Sequence, residues 1–144
     1  MLLIGGATLA TALFAGAAVY ITFVEHPARM VCTTEIAVAQ WRPSYKRATV
    51  MQAPLAVVGA LLAVAGWFGG AELVWLAAGI ILGAVVPFTL VVMWPTNKEL
   101  EDAALDMASE RARALLRKWG YLHVVRSGLG AVALLLMVFA RSCT

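Results

Sequence analysis

The 144-residue chain is 62% apolar and 13% charged, with a formal net charge of +3. This composition points to an integral membrane protein of one domain and argues against a soluble domain with a wide polar surface. The positive balance does not indicate nucleic acid, because Glu99, Glu101, Asp102, Asp106 and Glu110 are interleaved with the bases of the most basic segment.

Four apolar stretches follow in chain order, over residues 2–24, 51–68, 73–94 and 121–140. At 1.5 Å per residue each covers about 27 to 34 Å, enough to cross a hydrocarbon core of about 30 Å. The first carries Thr8, Thr11, Ala15, Ala18, Thr22 and Glu25 as a seam of small or polar side chains. Such a seam lets helix backbones approach closely in lipid. Ala15-Gly16-Ala17 resembles a cleavage site, but no basic residue precedes the apolar run, so the segment reads as a retained span. The second stretch repeats the device with Gln52, Gly59, Ala63 and Gly66. Gly69-Gly70 turns the chain into the third, which contains Gly79 and Gly83. Pro95 is expected to end that span, and Thr96-Asn97 to cap a helix lying on the membrane surface from Lys98 to Lys118. The expected fold is therefore all-α, an antiparallel four-helix transmembrane bundle with an interfacial helix between the third and fourth spans.

Loops 25–50 and 95–120 fall on one side of such a bundle. They carry Arg29, Arg42, Lys46, Arg47, Lys98, Arg111, Arg113, Arg117 and Lys118, against Arg141 alone on the other side. By the positive-inside rule both loops are cytoplasmic and both termini lie outside a cell inner membrane. Trp41, Tyr45, Trp94, Trp119 and Tyr121 would mark the inner interface, and Trp67 and Trp75 the outer one. Cys32 and Cys143 fall on opposite sides and cannot pair within one chain.

The polar groups inside these segments gather at one depth: Glu25, His26, Gln52, Asn97, His123 and Arg126. Arg126 sits about one and a half turns inside the fourth apolar run. A cation there costs about 2.5 to 3.5 kcal/mol on insertion scales, so a partner is required, and Glu25 is the expected one. His123 and Arg126 are three residues apart and share a helix face. Several chemistries fit the two histidines. Glu25, His26 and His123 could hold a transition metal, the histidines could bind haem, or one could act as a general base beside an arginine that holds an oxyanion.

Three strings then carry a resemblance: Tyr20-Ile21-Thr22-Phe23-Val24-Glu25-His26-Pro27-Ala28-Arg29, Gln40-Trp41-Arg42-Pro43-Ser44-Tyr45-Lys46-Arg47 with Met51-Gln52, and Met93-Trp94-Pro95-Thr96-Asn97-Lys98-Glu99-Leu100. With Pro87-Phe88-Thr89, and Trp119, His123 and Arg126, they resemble in order the bacterial branch of the anthrone oxygenase-like family of small membrane proteins. The resemblance implies a four-helix membrane fold. It also implies oxidation of a flat apolar anthrone-like or phenolic substrate by molecular oxygen, with no cofactor. Pro27, Asn97, Trp119, His123 and Arg126 lie in the motifs shared across the family, and Glu25-His26 in the bacterial branch. The implied catalytic set is His123, Arg126, His26, Glu25 and Asn97, with Trp119, Trp94, Gln52 and Thr89 against the substrate. Expected partners are the lipid bilayer and an apolar small molecule, with homo-oligomerisation left open. A non-catalytic binding, assembly or transport protein, and a haem or metal carrier, stand as alternatives.

The topology has a direct check. An impermeant thiol reagent added to intact cells should modify Cys143 and spare Cys32. The reverse pattern would invert the assignment.

Overall fold

The structure, a computed structural model, describes the backbone of residues 1–142 and the side chains of residues 1–140. Cys143, one of the two labelling positions, lies outside the described residues. Four long helices are apolar enough to cross a membrane: α1, Leu2–Val31; α2, Thr34–Phe68; α3, Leu73–Glu101; and α4, Glu110–Ser142. They form a square in which α1 and α3 each pack between α2 and α4.

Small residues set the spacing of the helices. A Cβ at Gly59 of α2 would meet Leu82 at 2.8 Å and the Thr11 hydroxyl at 2.9 Å. One at Gly79 of α3 would meet Val64 at 2.9 Å and the Ala60 carbonyl at 3.1 Å, and one at Gly130 of α4 would meet Phe14 at 2.6 Å. Thr11, Ala15 and Ala18 of the expected seam on α1 are buried, together with Ala7, Ala10 and Phe14. With no hydrophobic drive between helices in lipid, this close packing is what holds the bundle.

The helix ends differ from the sequence expectation in a consistent way. Residues 34–50, read as loop, are the first turns of α2, and α1 runs on to Val31. Pro95 does not end α3, which continues to Glu101, and Thr96 and Asn97 are buried within it instead of capping a new helix. The expected surface helix over Lys98–Lys118 is divided between the end of α3 and the start of α4 by a turn at residues 102–109. That turn is held locally: Asp102 and Asp106 accept from the amides of Ala104 (2.9 Å) and Ala108 (3.0 Å), and Ser109 accepts from Ala112 (3.1 Å) to cap α4.

Two of the bases counted for topology cap helix C-termini. Arg42 donates to the carbonyls of Leu100 (2.9 Å) and Asp102 (2.8 Å), and Arg113 to those of Met30 (2.5 Å) and Cys32 (3.0 Å). These carbonyls lack intrahelical donors and carry the negative end of the helix dipole, so a guanidinium there satisfies both needs.

Prolines stand beside widened turns in two of the helices that border the candidate site. Pro27 and Pro95 each stand two residues after a π-helical segment, Ile21–Glu25 and Phe88–Met93. A proline inside a helix offers no N–H and its ring presses on the carbonyl four residues earlier. Widening the preceding turn to the i→i+5 pattern relieves that pressure without breaking the helix. Both widened turns lie at the depth of the polar cluster.

Candidate functional site

The site is built on an aromatic stack. Trp41 lies flat on Tyr45 (centroids 4.8 Å, 6° between planes) and meets Trp119 edge-on (5.8 Å, 84°), and Trp119 in turn stacks on His123 (4.7 Å, 27°). Trp41 and Trp119 are buried, so they belong to the packed interior and not to an interfacial belt. Trp75, expected at the outer interface, is also buried, while Trp94 and Tyr121 are exposed as belt residues would be.

His123 is fixed by hydrogen bonds at both nitrogens. Its Nδ1 lies 3.0 Å from the Thr22 hydroxyl and 3.3 Å from that of Ser127. Ser127 donates to the Ala18 carbonyl (3.0 Å) and sits 2.7 Å from Thr22 Oγ1. Because the Ser127 proton is committed to a carbonyl, Thr22 donates to Ser127 and accepts from His123 Nδ1–H. On the other side Arg126 Nη1 stands 3.4 Å from His123 Nε2. A guanidinium can only donate, so Nε2 carries the lone pair, and both sides define the same neutral tautomer.

Arg126 overturns the sequence expectation of its partner. It donates to Gln52 Oε1 at 2.9 Å and its guanidinium lies 5.2 Å from the centre of the Phe14 ring, with no carboxylate in reach among the described residues. Glu25 is bound to Arg29, one helical turn along α1, at 2.6 Å. It also accepts from Gln40 (3.1 Å) and from the Ser44 hydroxyl. Arg29 is almost wholly buried, donates additionally to Gln40, and lies over the Trp119 ring at 5.7 Å. A neighbour four residues away on the same helix costs little to reach, so it outcompetes an arginine on another helix.

These groups border a cavity of about 170 Å3 lined by α2, α3 and α4, with Ile21 and Arg29 of α1 at its edge. His123, Arg126, Asn97, Trp119, Trp94 and Thr89 line it, as do Arg29, Trp41 and Tyr45. The structure does not bring Glu25, His26 or Gln52 to this wall. Glu25 is drawn away by Arg29, and Gln52 stands behind Arg126. His26 packs on the other side of Trp119 (centroids 5.3 Å) against Gly120, where a Cβ would collide with its ring. It lines a separate cavity, together with Thr22 and the far side of His123. Among the described residues no three His, Cys, Asp or Glu side chains come together as a metal site, so Glu25, His26 and His123 do not assemble the three-ligand set that was one alternative for them. Both ring nitrogens of His123 are also engaged within the protein.

Sequence reasoning missed Tyr45, Trp41, Arg29, Thr22 and Ser127 as members of this site. The spacing held part of the signal: Ser127 is four residues after His123 and Arg29 four after Glu25, so each pair shares a helix face. Several buried polar atoms around the cavity have no partner within the protein: Trp41 Nε1, Trp119 Nε1, Asn97 Oδ1, Arg126 Nε and Gln52 Nε2. Each unmet group costs about 1 to 3 kcal/mol. An ordered water or a polar ligand group in the cavity would satisfy such atoms.

The fold and site together define a small four-helix membrane protein with an uncompensated arginine and a neutral histidine facing an apolar cavity. The chain belongs to the anthrone oxygenase family, whose model matches residues 41–136. It is 40% identical over 60 residues to an anthrone oxygenase from Claviceps purpurea (strain 20.1), a match covering 36% of this chain and 34% of that protein. The chain thus spans about a third of the length of that relative. No solved structure matches it.

The ion-pair correction is testable by double-mutant cycles in the detergent-solubilised protein. Glu25→Gln and Arg29→Gln should couple by about 1 to 3 kcal/mol, whereas Glu25→Gln and Arg126→Gln should add within about 0.5 kcal/mol. Coupling of the second pair as strong as the first would restore the original assignment.

Proposed function

We propose that this protein oxidises the activated methylene of a flat, apolar, anthrone-like ketone with molecular oxygen at the cavity bordered by His123 and Arg126. One observation carries the reading: a partly buried guanidinium faces an apolar cavity with no carboxylate partner among the described residues, beside a histidine whose Nε2 lone pair is free of a proton. Such a cation is a ready receiver for negative charge that develops on a substrate oxygen. The family match and its anthrone oxygenase relative agree with this chemistry.

In the proposed reaction the ketone oxygen takes the place of His123 Nε2 as acceptor for Arg126 Nη1. His123 Nε2 then removes one methylene proton, and the electron pair left behind delocalises onto the oxygen held by Arg126. This enolate is electron-rich enough to reduce oxygen directly. Overall the methylene carbon gains one oxygen atom of O2 as a new carbonyl, and the second leaves as water with the two methylene hydrogens. Thr22 and Ser127 hold the tautomer that leaves Nε2 unprotonated. They are positioning residues, as Gln52 is for Arg126.

The same reading puts the two loops and the polar end of the bundle on the cytoplasmic side, with apolar helix faces against lipid. Activity is measured as oxygen uptake and quinone formation from 9-anthrone in reconstituted vesicles. His123→Asn should lower the enzymatic rate by about 10² to 10⁴. Arg126→Gln should lower it by about 10² to 10³ with little change in KM, because the charge forms chiefly in the transition state. An unmodified protein that binds the ketone and consumes no oxygen would be a binding protein, and the oxygenase reading would fall.

A further inference from the structure

The cavity is closed at both ends and open at its side. Toward the outer surface α2 and α3 touch at Gly79, where even a Cβ would press on the Ala60 carbonyl at 3.1 Å. Toward the cytoplasmic end Asn97 Nδ2 donates to the Tyr45 hydroxyl at 3.1 Å, tying α3 to α2, and Tyr45 is itself stacked on buried Trp41. Between these two ties the helices part, along the π-helical turn Phe88–Met93 that follows Pro87 and precedes Pro95. The gap has uncharged rims. Thr49 and Ala53 stand on the α2 side and Leu90 and Trp94 on the α3 side, all four lining the cavity and all exposed, Leu90 by 60% and Trp94 by 50%.

Depth decides what lies outside the gap. Ala53 is six residues beyond Arg47, about 9 Å of helix rise, and no charged residue follows it before the end of α2 at Phe68. Leu90 lies within the uncharged part of α3, which has no charge from Leu73 to Asn97. The opening therefore runs from the interfacial level of Thr49 and Trp94 to hydrocarbon beside Ala53 and Leu90. A ligand coming from the aqueous side along the same axis would have to break the Tyr45–Asn97 tie and pass the aromatic stack.

We infer that the slot between α2 and α3 is a side opening to the bilayer, through which a flat lipophilic molecule with one acceptor oxygen enters, oxygen end first, toward Arg126. The inference rests on the proposed reaction for the identity of the ligand and adds the route by which it arrives. Small side chains at Ala48, Ala53 and Ala56 keep the α2 wall low enough for a planar ring system, while Thr89 and Met93 form the opposite wall. Such a route suits a substrate that partitions into membranes, since its concentration there far exceeds that in water and its apolar body need never be exposed.

The test uses the full chain in nanodiscs with radiolabelled 9,10-anthraquinone as the probe, affinity being read by equilibrium binding. Ala53→Trp and Leu90→Trp place an indole in the opening from opposite rims, and each should weaken binding at least tenfold. Val57→Trp puts the same group on α2 one turn away, on a lipid-facing residue outside the cavity, and should bind as the unmodified protein does. Thermal melting of all three confirms that each is folded, as expected for substitutions at exposed positions. If Ala53→Trp and Leu90→Trp bind with unchanged affinity, or if Val57→Trp loses as much, the side opening is overturned while the site stands. If the unmodified protein does not bind the probe, the reaction proposed above falls and takes this route with it.

Discussion

Among the described residues the Arg126 guanidinium is held in the apolar part of a membrane bundle by neutral groups alone, and much of the polar architecture follows from that constraint. Gln52 Oε1 receives one of its N–H groups, His123 Nε2 faces another, and the Phe14 ring lies beneath the charge. None of these cancels a positive charge in the way a carboxylate would. Gln52 must be buried to reach it, which leaves the Gln52 amide nitrogen without a partner. His123 must present a lone pair, which requires the relay from Nδ1 through Thr22 and Ser127 to the Ala18 carbonyl. A stable resting protein gains nothing from this arrangement; a site that must receive negative charge gains a preorganised cation that needs no reorganisation when the charge appears.

Glu25 and Arg29 show the complementary solution. Their ion pair lies on one face of α1, is supported by Gln40 and Ser44 from α2, and gives a buried arginine a full counter-charge. It fixes the polar end of α1 against α2 and presents the Arg29 guanidinium to Trp119. Each of the two arginines near the aromatic stack stands 3.4 Å from a histidine, Arg29 from His26 and Arg126 from His123, but only Arg29 is neutralised by a carboxylate among the described residues.

The number of spans, the bundle and the depth of the polar cluster were legible in the sequence because hydropathy and the cost of buried charge act on single residues. Glu25, His26, Asn97, His123 and Arg126 do lie at one end of the bundle, and Asn97, Trp119, His123 and Arg126 share a cavity. Pairing was not legible in the same way. Arg126 could be assigned a need for compensation but not its actual partner, since Gln52 and Glu25 sit at similar depth on different helices. His26 and His123 looked equivalent by depth, but Trp119 stands between them, and His123 meets Thr22, Ser127 and Arg126 where His26 meets Arg29. The helix ends were misread for a related reason: Pro95 is a stop signal by local rules, and α3 passes it by way of the widened turn Phe88–Met93, which those rules do not foresee.

The central claim is that Arg126 and His123 together stabilise the enolate of a bound ketone. Its most direct measurement is the absorption spectrum of 9-anthrone bound to the protein under argon, where oxidation cannot proceed. The unmodified protein should show the long-wavelength band of a delocalised enolate, and both Arg126→Gln and His123→Asn should lose it while the neutral ketone still binds. A bound ketone that stays neutral in the unmodified protein, or an enolate band that survives in Arg126→Gln, would contradict that claim.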